Sequence, residues 1–251
     1  MRKILTFILF TISSVVISQK PSKIYKAGFS YYYSFAYCDN LNEIKKVYFK
    51  PPFINEGNRK SFEKGWSFSK SDDIQEAVMG FSFDIQNGVI NGNQIPYTIS
   101  YYDEKEKKIN VFEATGLVED KKNLFLHPPR MKFFTILEFS PFPLIHFPLK
   151  VGKKWESKLE ISQDWIQDDL NWVGELGAFM SYKVIGTETI QTKFGYVECF
   201  KIYSESRANK IHSKLIMYYN ERYGIISYNY QNYDGSKVVF HLEKIYETNK
   251  K

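Results

Sequence analysis

Residues 162–177, SQDWIQDDLNWVGELG, carry the densest set of side chains able to do chemistry: Asp164, Trp165, Asp168, Asp169, Trp172 and Glu175. Carboxylates beside indole faces can hold a sugar through hydrogen bonds and stacking, and two carboxylates roughly 5 to 9.5 Å apart are what a glycosidase requires. A plainer role suits the same letters, with the tryptophans capping the end of a core and the acids turned to water. We expect that structural role first, ligand contact by Asp164, Trp165, Asp168, Asp169 and Trp172 second, and catalysis last. No catalytic residue is assigned, because spacing along the chain does not fix the separation of any two of these acids.

The histidines His127, His146, His212 and His241 never pair at the short spacing of a metal site, and there is no Gly-x-Ser-x-Gly elbow or phosphate-cradling glycine loop. Neither a metal nor a cofactor is expected. A histidine acting as a base also needs a positioned partner, so each reads first as a surface or packed residue. His127, Arg130 and His146 would meet on an anion if the proline-rich stretch between them folded back. Cys38 and Cys199 are the only cysteines, one in each half, too far apart for a zinc site. In an oxidising compartment they form a bridge if their Cα atoms lie within about 7 Å; otherwise they are small apolar core residues, which is the expectation here.

Strands must position these groups. Residues 29–37, 78–85, 95–102 and 108–115 are aromatic or alternating, and residues 155–161, 182–190, 196–203, 211–219, 225–230 and 238–246 repeat that pattern with short turn signals between them. Asn87-Gly88 and Asn91-Gly92 favour the positive φ of tight turns. Short connections argue for antiparallel neighbours, since parallel pairs need long crossovers. Residues 162–177 are the one expected helix, with Ile166, Leu170, Val173 and Leu176 at helical spacing and Gly177 as its stop. Five of the nine prolines fall within residues 127–156. Each removes a donor and restrains its predecessor, so we expect a crossing from one part of the sheet to another, β-like at 133–139, with Phe133, Phe134, Phe139, Phe142 and Phe147 as an apolar strap.

Of the 251 residues, 43% are hydrophobic and 18% aromatic, which excludes a disordered chain. A single β domain of roughly 200 to 250 residues is common. Arg2 and Lys3 precede an apolar run to Ile17, with Val16-Ile17-Ser18 before Gln19, the layout of a secretory signal peptide. That run is shorter than the roughly 20 residues of a spanning helix. We therefore expect residues 1–18 to be cleaved, 19–247 to form one β domain with any substructure boundary near 141–150, and 248–251 to be a tail. Localisation would be periplasmic or extracellular, with no transmembrane segment after cleavage. The formal charge of +6 becomes +4 without Arg2 and Lys3, and the remaining basic residues are scattered beside acids, a solvated surface rather than a nucleic-acid stripe.

Residues 151–246 resemble the C-terminal part of a family of exported bacterial β proteins of unknown function. The likeness rests on Val151-Gly152 with Trp155, on residues 182–190 (YKVIGTETI), on Thr192 with Gly195, and on Phe200-Lys201-Ile202. It continues in Tyr218-Tyr219, Tyr223-Gly224-Ile225 and Asp234-Gly235. Lys193 stands where that family usually has proline. The family is in turn similar to lipoprotein-localisation envelope carriers, which implies a mainly β fold: a single strongly curved antiparallel sheet or open barrel with at most one or two short helices. Three functions follow in order of expectation. The first is a noncatalytic exported protein binding a lipid or other amphipathic small molecule in its curved sheet. The second is a structural or protein-interaction component of the cell envelope, with an envelope protein as partner. A glycan-active enzyme is the third.

Overall fold

The computed structural model describes residues 23–49, 65–70, 77–162 and 173–248. The described strands are β1 (Phe29–Cys38), β2 (Ile44–Lys45), β3 (Val47–Phe49), β4 (Trp66–Ser67), β5 (Ala77–Val78), β6 (Gly80–Ile85), β7 (Ile95–Tyr102), β8 (Lys108–Glu119), β9 (Asn123–Phe125), β10 (Leu144–His146), β11 (Lys154–Ser162), β12 (Glu175–Thr192), β13 (Gly195–Ala208), β14 (Ile211–Asn220), β15 (Gly224–Gln231) and β16 (Lys237–Glu247). A 3-10 helix, Lys132–Phe139, lies between β9 and β10. The main sheet runs β10-β9-β8-β7-β6-β1-β16-β15-β14-β13-β12-β11, with β2 attached to β1, and a small sheet β4-β3-β5 stands beside it. Every pairing is antiparallel.

The two ends of this order are neighbours in sequence. Twelve flat strands would hold β10 and β11 about 50 Å apart, yet residues 147–153 can reach only about 25 Å. The sheet must curl until its edges meet, and it forms a nearly closed barrel. At the seam Lys153 Nζ donates to the carbonyls of His146 and Pro148 at 2.6 and 2.9 Å, and the rings of His146 and Trp155 stack 5.7 Å apart. Turn chemistry follows the letters: Gly88, Asn91 and Gly92 all have positive φ.

Residues 133–139 are helical, not strand. β9 pairs with β10 through Leu144↔Phe125 and Ile145↔Leu124, so the ladder continues without the intervening residues, which must satisfy their backbone locally. A helical turn does so: Phe134 N–H donates to Met131 O and Ser140 N–H to Leu137 O, both at 3.0 Å. Side chains then radiate in every direction. Phe134 is fully buried, stacked on Tyr101 at 5.6 Å and edge-on to Phe35 and Phe49. The strap thus becomes a plug inside the barrel.

The expected helix at 162–177 is also corrected at its ends. Ser162 closes β11 and pairs with Glu175, which opens β12, and Gly177 sits within β12 opposite Glu160. Residues 163–172 lie outside the described residues, as do 1–22 and 249–251, which hold the expected signal peptide and most of the tail. Cys38 and Cys199 are separate thiols, on strands with β16, β15 and β14 between them. No helix among the described residues is long and apolar enough to cross a membrane.

Candidate functional site

The plug enters the barrel through a group of buried ionisable side chains. On β8 the inward positions are Ile109, Val111 and Glu113, so simple alternation places one carboxylate in the core. Glu113 is 7% exposed. Its carboxylate accepts from the Tyr101 hydroxyl and from the Arg130 backbone N–H at 3.2 and 3.3 Å, and Arg130 Nε stands 3.8 Å away. Burial pushes its pKa up to about 7, against the lowering effect of those donors.

His127 is fixed in one tautomer by its neighbours. Nδ1 donates to Pro128 O at 2.9 Å, leaving Nε2 to accept from Arg130 Nη1 at 3.2 Å. Burial, with the Arg130 charge beside it, depresses its pKa to about 4, so the ring is neutral at pH 7. Glu138, on the plug, lies 3.8 Å from the same Nε2. Lys132 opens the helix with a positive φ of 54°, a strained position for a residue with Cβ. Lys132 is 4% exposed; its ammonium donates to Gly65 O at 3.1 Å and rests over the Phe49 ring, and burial lowers its pKa to about 8.

Tyrosine hydroxyls complete the attachment. Tyr97 on β7 donates to His127 O at 2.7 Å and Tyr182 on β12 to Phe142 O at 2.9 Å, so both ends of the inserted segment are tied to opposite arcs of the wall. The chemistry available here is charge pairing and hydrogen bonding that seats the plug.

Of the residues singled out by sequence, His127 and Arg130 are brought together, whereas His146 sits at the seam against Trp155. Asp164, Trp165, Asp168, Asp169 and Trp172 lie outside the described residues; Glu175 is exposed at the start of β12. Glu113 is not among the residues singled out by sequence, although its place among the alternating apolar residues of β8 is the available signal. Nor are those of a groove on the outer face of β11–β13, where Lys154, Glu156 and Lys158 face Lys183, Ser181 and Phe179 across the ladder. Among the described residues no group of three or more His, Cys, Asp or Glu side chains is placed to hold a metal ion.

Fold and interior together define a class: a twelve-stranded antiparallel barrel, nearly closed, with an internal 3-10 plug. No protein-family model and no curated protein matches the chain. Solved structures to which it is similar include the following three. One is a Bacteroides fragilis protein described as exported and YmcC-like in fold, 12% identical with a TM-score of 0.45, over 88% of this chain and 96% of that one. A Parabacteroides distasonis protein described as a lipoprotein is 10% identical, TM-score 0.46, with the same coverage. The hypothetical lipoprotein YmcC of Escherichia coli is 11% identical, TM-score 0.35, over 90% and 91%.

Proposed function

We propose that this is an exported, noncatalytic barrel protein that serves as a binding or structural component of the cell envelope and meets its partners with its outer surface. The observation that carries this reading is how closely the described residues pack the interior. Tyr33, Tyr97, Tyr101, Phe81 and Phe134 are all at most 1% exposed, and the space that a carrier barrel keeps for its ligand is taken by the plug. Strand β11 adds a binding feature outside: it is nine residues long against the three of β10, so the seam leaves part of it paired, among the described residues, only with β12, and an edge of this kind can receive an extended chain. In-cell photo-crosslinking from the outer face of β11 should give a discrete adduct, and detergent-free purification with organic extraction and mass spectrometry should give no stoichiometric lipid. A stoichiometric lipid, or no adduct, would overturn the proposal.

An enclosed amphipathic ligand is the second reading. It is favoured by the hydroxyls of Ser206, Ser213 and Tyr230, buried with no hydrogen-bond partner among the described residues, which a polar head group or trapped water would satisfy. The same extraction separates the two readings.

A further inference from the structure

The outer face of β11–β13 forms one groove in two lobes of about 410 and 580 Å³, sharing Glu156, Ser181 and Glu205. Ladder registers arrange its side chains in rows across the strands. Lys154 stands directly opposite Lys183, which is followed by Tyr203; Glu156 is opposite Ser181, followed by Glu205; Lys158 is opposite Phe179, followed by Arg207. Small Ser181 forms the saddle between the rows.

Two features have no structural rationale within the fold. Like charges placed directly opposite on neighbouring strands are destabilising, yet Lys154 and Lys183 are both exposed, and neither takes part in any of the ion pairs formed among the described residues. Phe179 is 64% exposed, with the Lys158 ammonium 6.0 Å from its ring centre and Arg207 on its other side. Across the middle row, Glu205 is held by Arg207 and His212 at 3.1 and 2.8 Å. Four cationic side chains against two carboxylates leave the lining at +2.

The geometry points to an acidic saccharide as the occupant of this groove, its anionic group on the Lys154–Lys183 pair and the face of a sugar ring on Phe179. Glu156, Glu205 and the Ser181 hydroxyl then meet its hydroxyls. A peptide fits less well, because among the residues lining the groove Phe179 is the one large hydrophobic side chain that is exposed, too little apolar surface to anchor an extended chain. This site rests on the part of the reading above which places binding on the outer surface and not on the filled interior, so a lipid found inside the barrel would overturn the interior claim, while the titration alone decides the groove.

The test is isothermal titration calorimetry of the mature chain with oligogalacturonate, with a neutral oligosaccharide of equal length and with polyglutamate. Saturable binding of oligogalacturonate, weakened by salt and at least about tenfold tighter than either control, is the expected result. The double variant Lys154→Ala/Lys183→Ala should lose about tenfold or more, and Phe179→Ala about threefold to tenfold. All three positions are exposed, so an unchanged melting temperature would confirm that the variants fold. Equal affinity for polyglutamate, binding of the neutral sugar as tight as of the acidic one, no binding at all, or full affinity in either variant would each overturn the inference.

Discussion

The plug socket and the outer groove use the same residue types and treat them oppositely. In the socket, Glu113, His127, Arg130 and Lys132 are held by one another and by backbone groups, and burial shifts three of their pKa values. Outside, Lys154 and Lys183 face each other in water without a counter-ion among the described residues. Buried polar groups are tolerated only when paired, so the socket has to be internally complete and serves the fold. An exposed pair carries only the small cost of repulsion, so it can stay uncompensated and serve a ligand.

Breaking the inner half of this comparison should have the largest effect. Phe134→Ala empties the centre of the plug, where Tyr101, Phe35, Phe49 and Phe240 converge, and should cost about 3 to 5 kcal/mol in urea unfolding. A loss under about 1 kcal/mol would mean that the plug is not part of the cooperative core.

Tying the plug to the wall should matter less. Tyr97→Phe removes only the hydroxyl donated to His127 O and should cost about 0.5 to 1.5 kcal/mol, with part of that from the carbonyl left unpaired.

Acidification separates the two socket groups by sign. The folded chain keeps a proton on Glu113 up to about pH 7, while the ordinary value is 4.5, so this group adds stability as pH falls from 7 to 4.5. His127 does the reverse: its ordinary value is 6.5 and its folded value about 4, so stability is lost as pH falls through that window. Relative to the wild type, Glu113→Gln should become progressively less stable between pH 7 and 4.5, and His127→Gln progressively more stable between 6.5 and 4. Stability curves that run parallel to the wild type's would show that neither group titrates as the buried geometry requires.

The smallest effect belongs outside. Lys154→Glu turns a repulsive cross-strand pair into an attractive one and should raise stability by no more than about 0.5 kcal/mol. A larger change in either direction would mean that the pair is coupled to the barrel wall, and the contrast between the two regions would fail.

Much of the wall was legible in the letters. Residues 95–102 form β7 over that same span, and residues 29–37 and 211–219 lie within β1 and β14, because alternation and turn residues act through neighbours a few positions away. The plug was not legible as a helix. Its residues are buried on nearly every side, so neither the two-fold nor the 3.6-fold period is written in them, and the phenylalanines read as strand. Within the candidate site, His127 and Arg130 were visible as a pair three residues apart; Glu113 was hidden because its partners come from β7 and from the chain leading into the plug.

The sequence by itself thus determined the antiparallel β class, the strand faces and the aromatic strap. Only the tertiary structure decided that β10 and β11 meet at a seam, that the strap passes inside, and that one carboxylate of β8 is sealed in while two lysines across β11 and β12 stay in water. The physical reason is range: side-chain period and turn geometry are local properties of the chain, whereas closure of a sheet sets which faces look inward and so which charges must find partners.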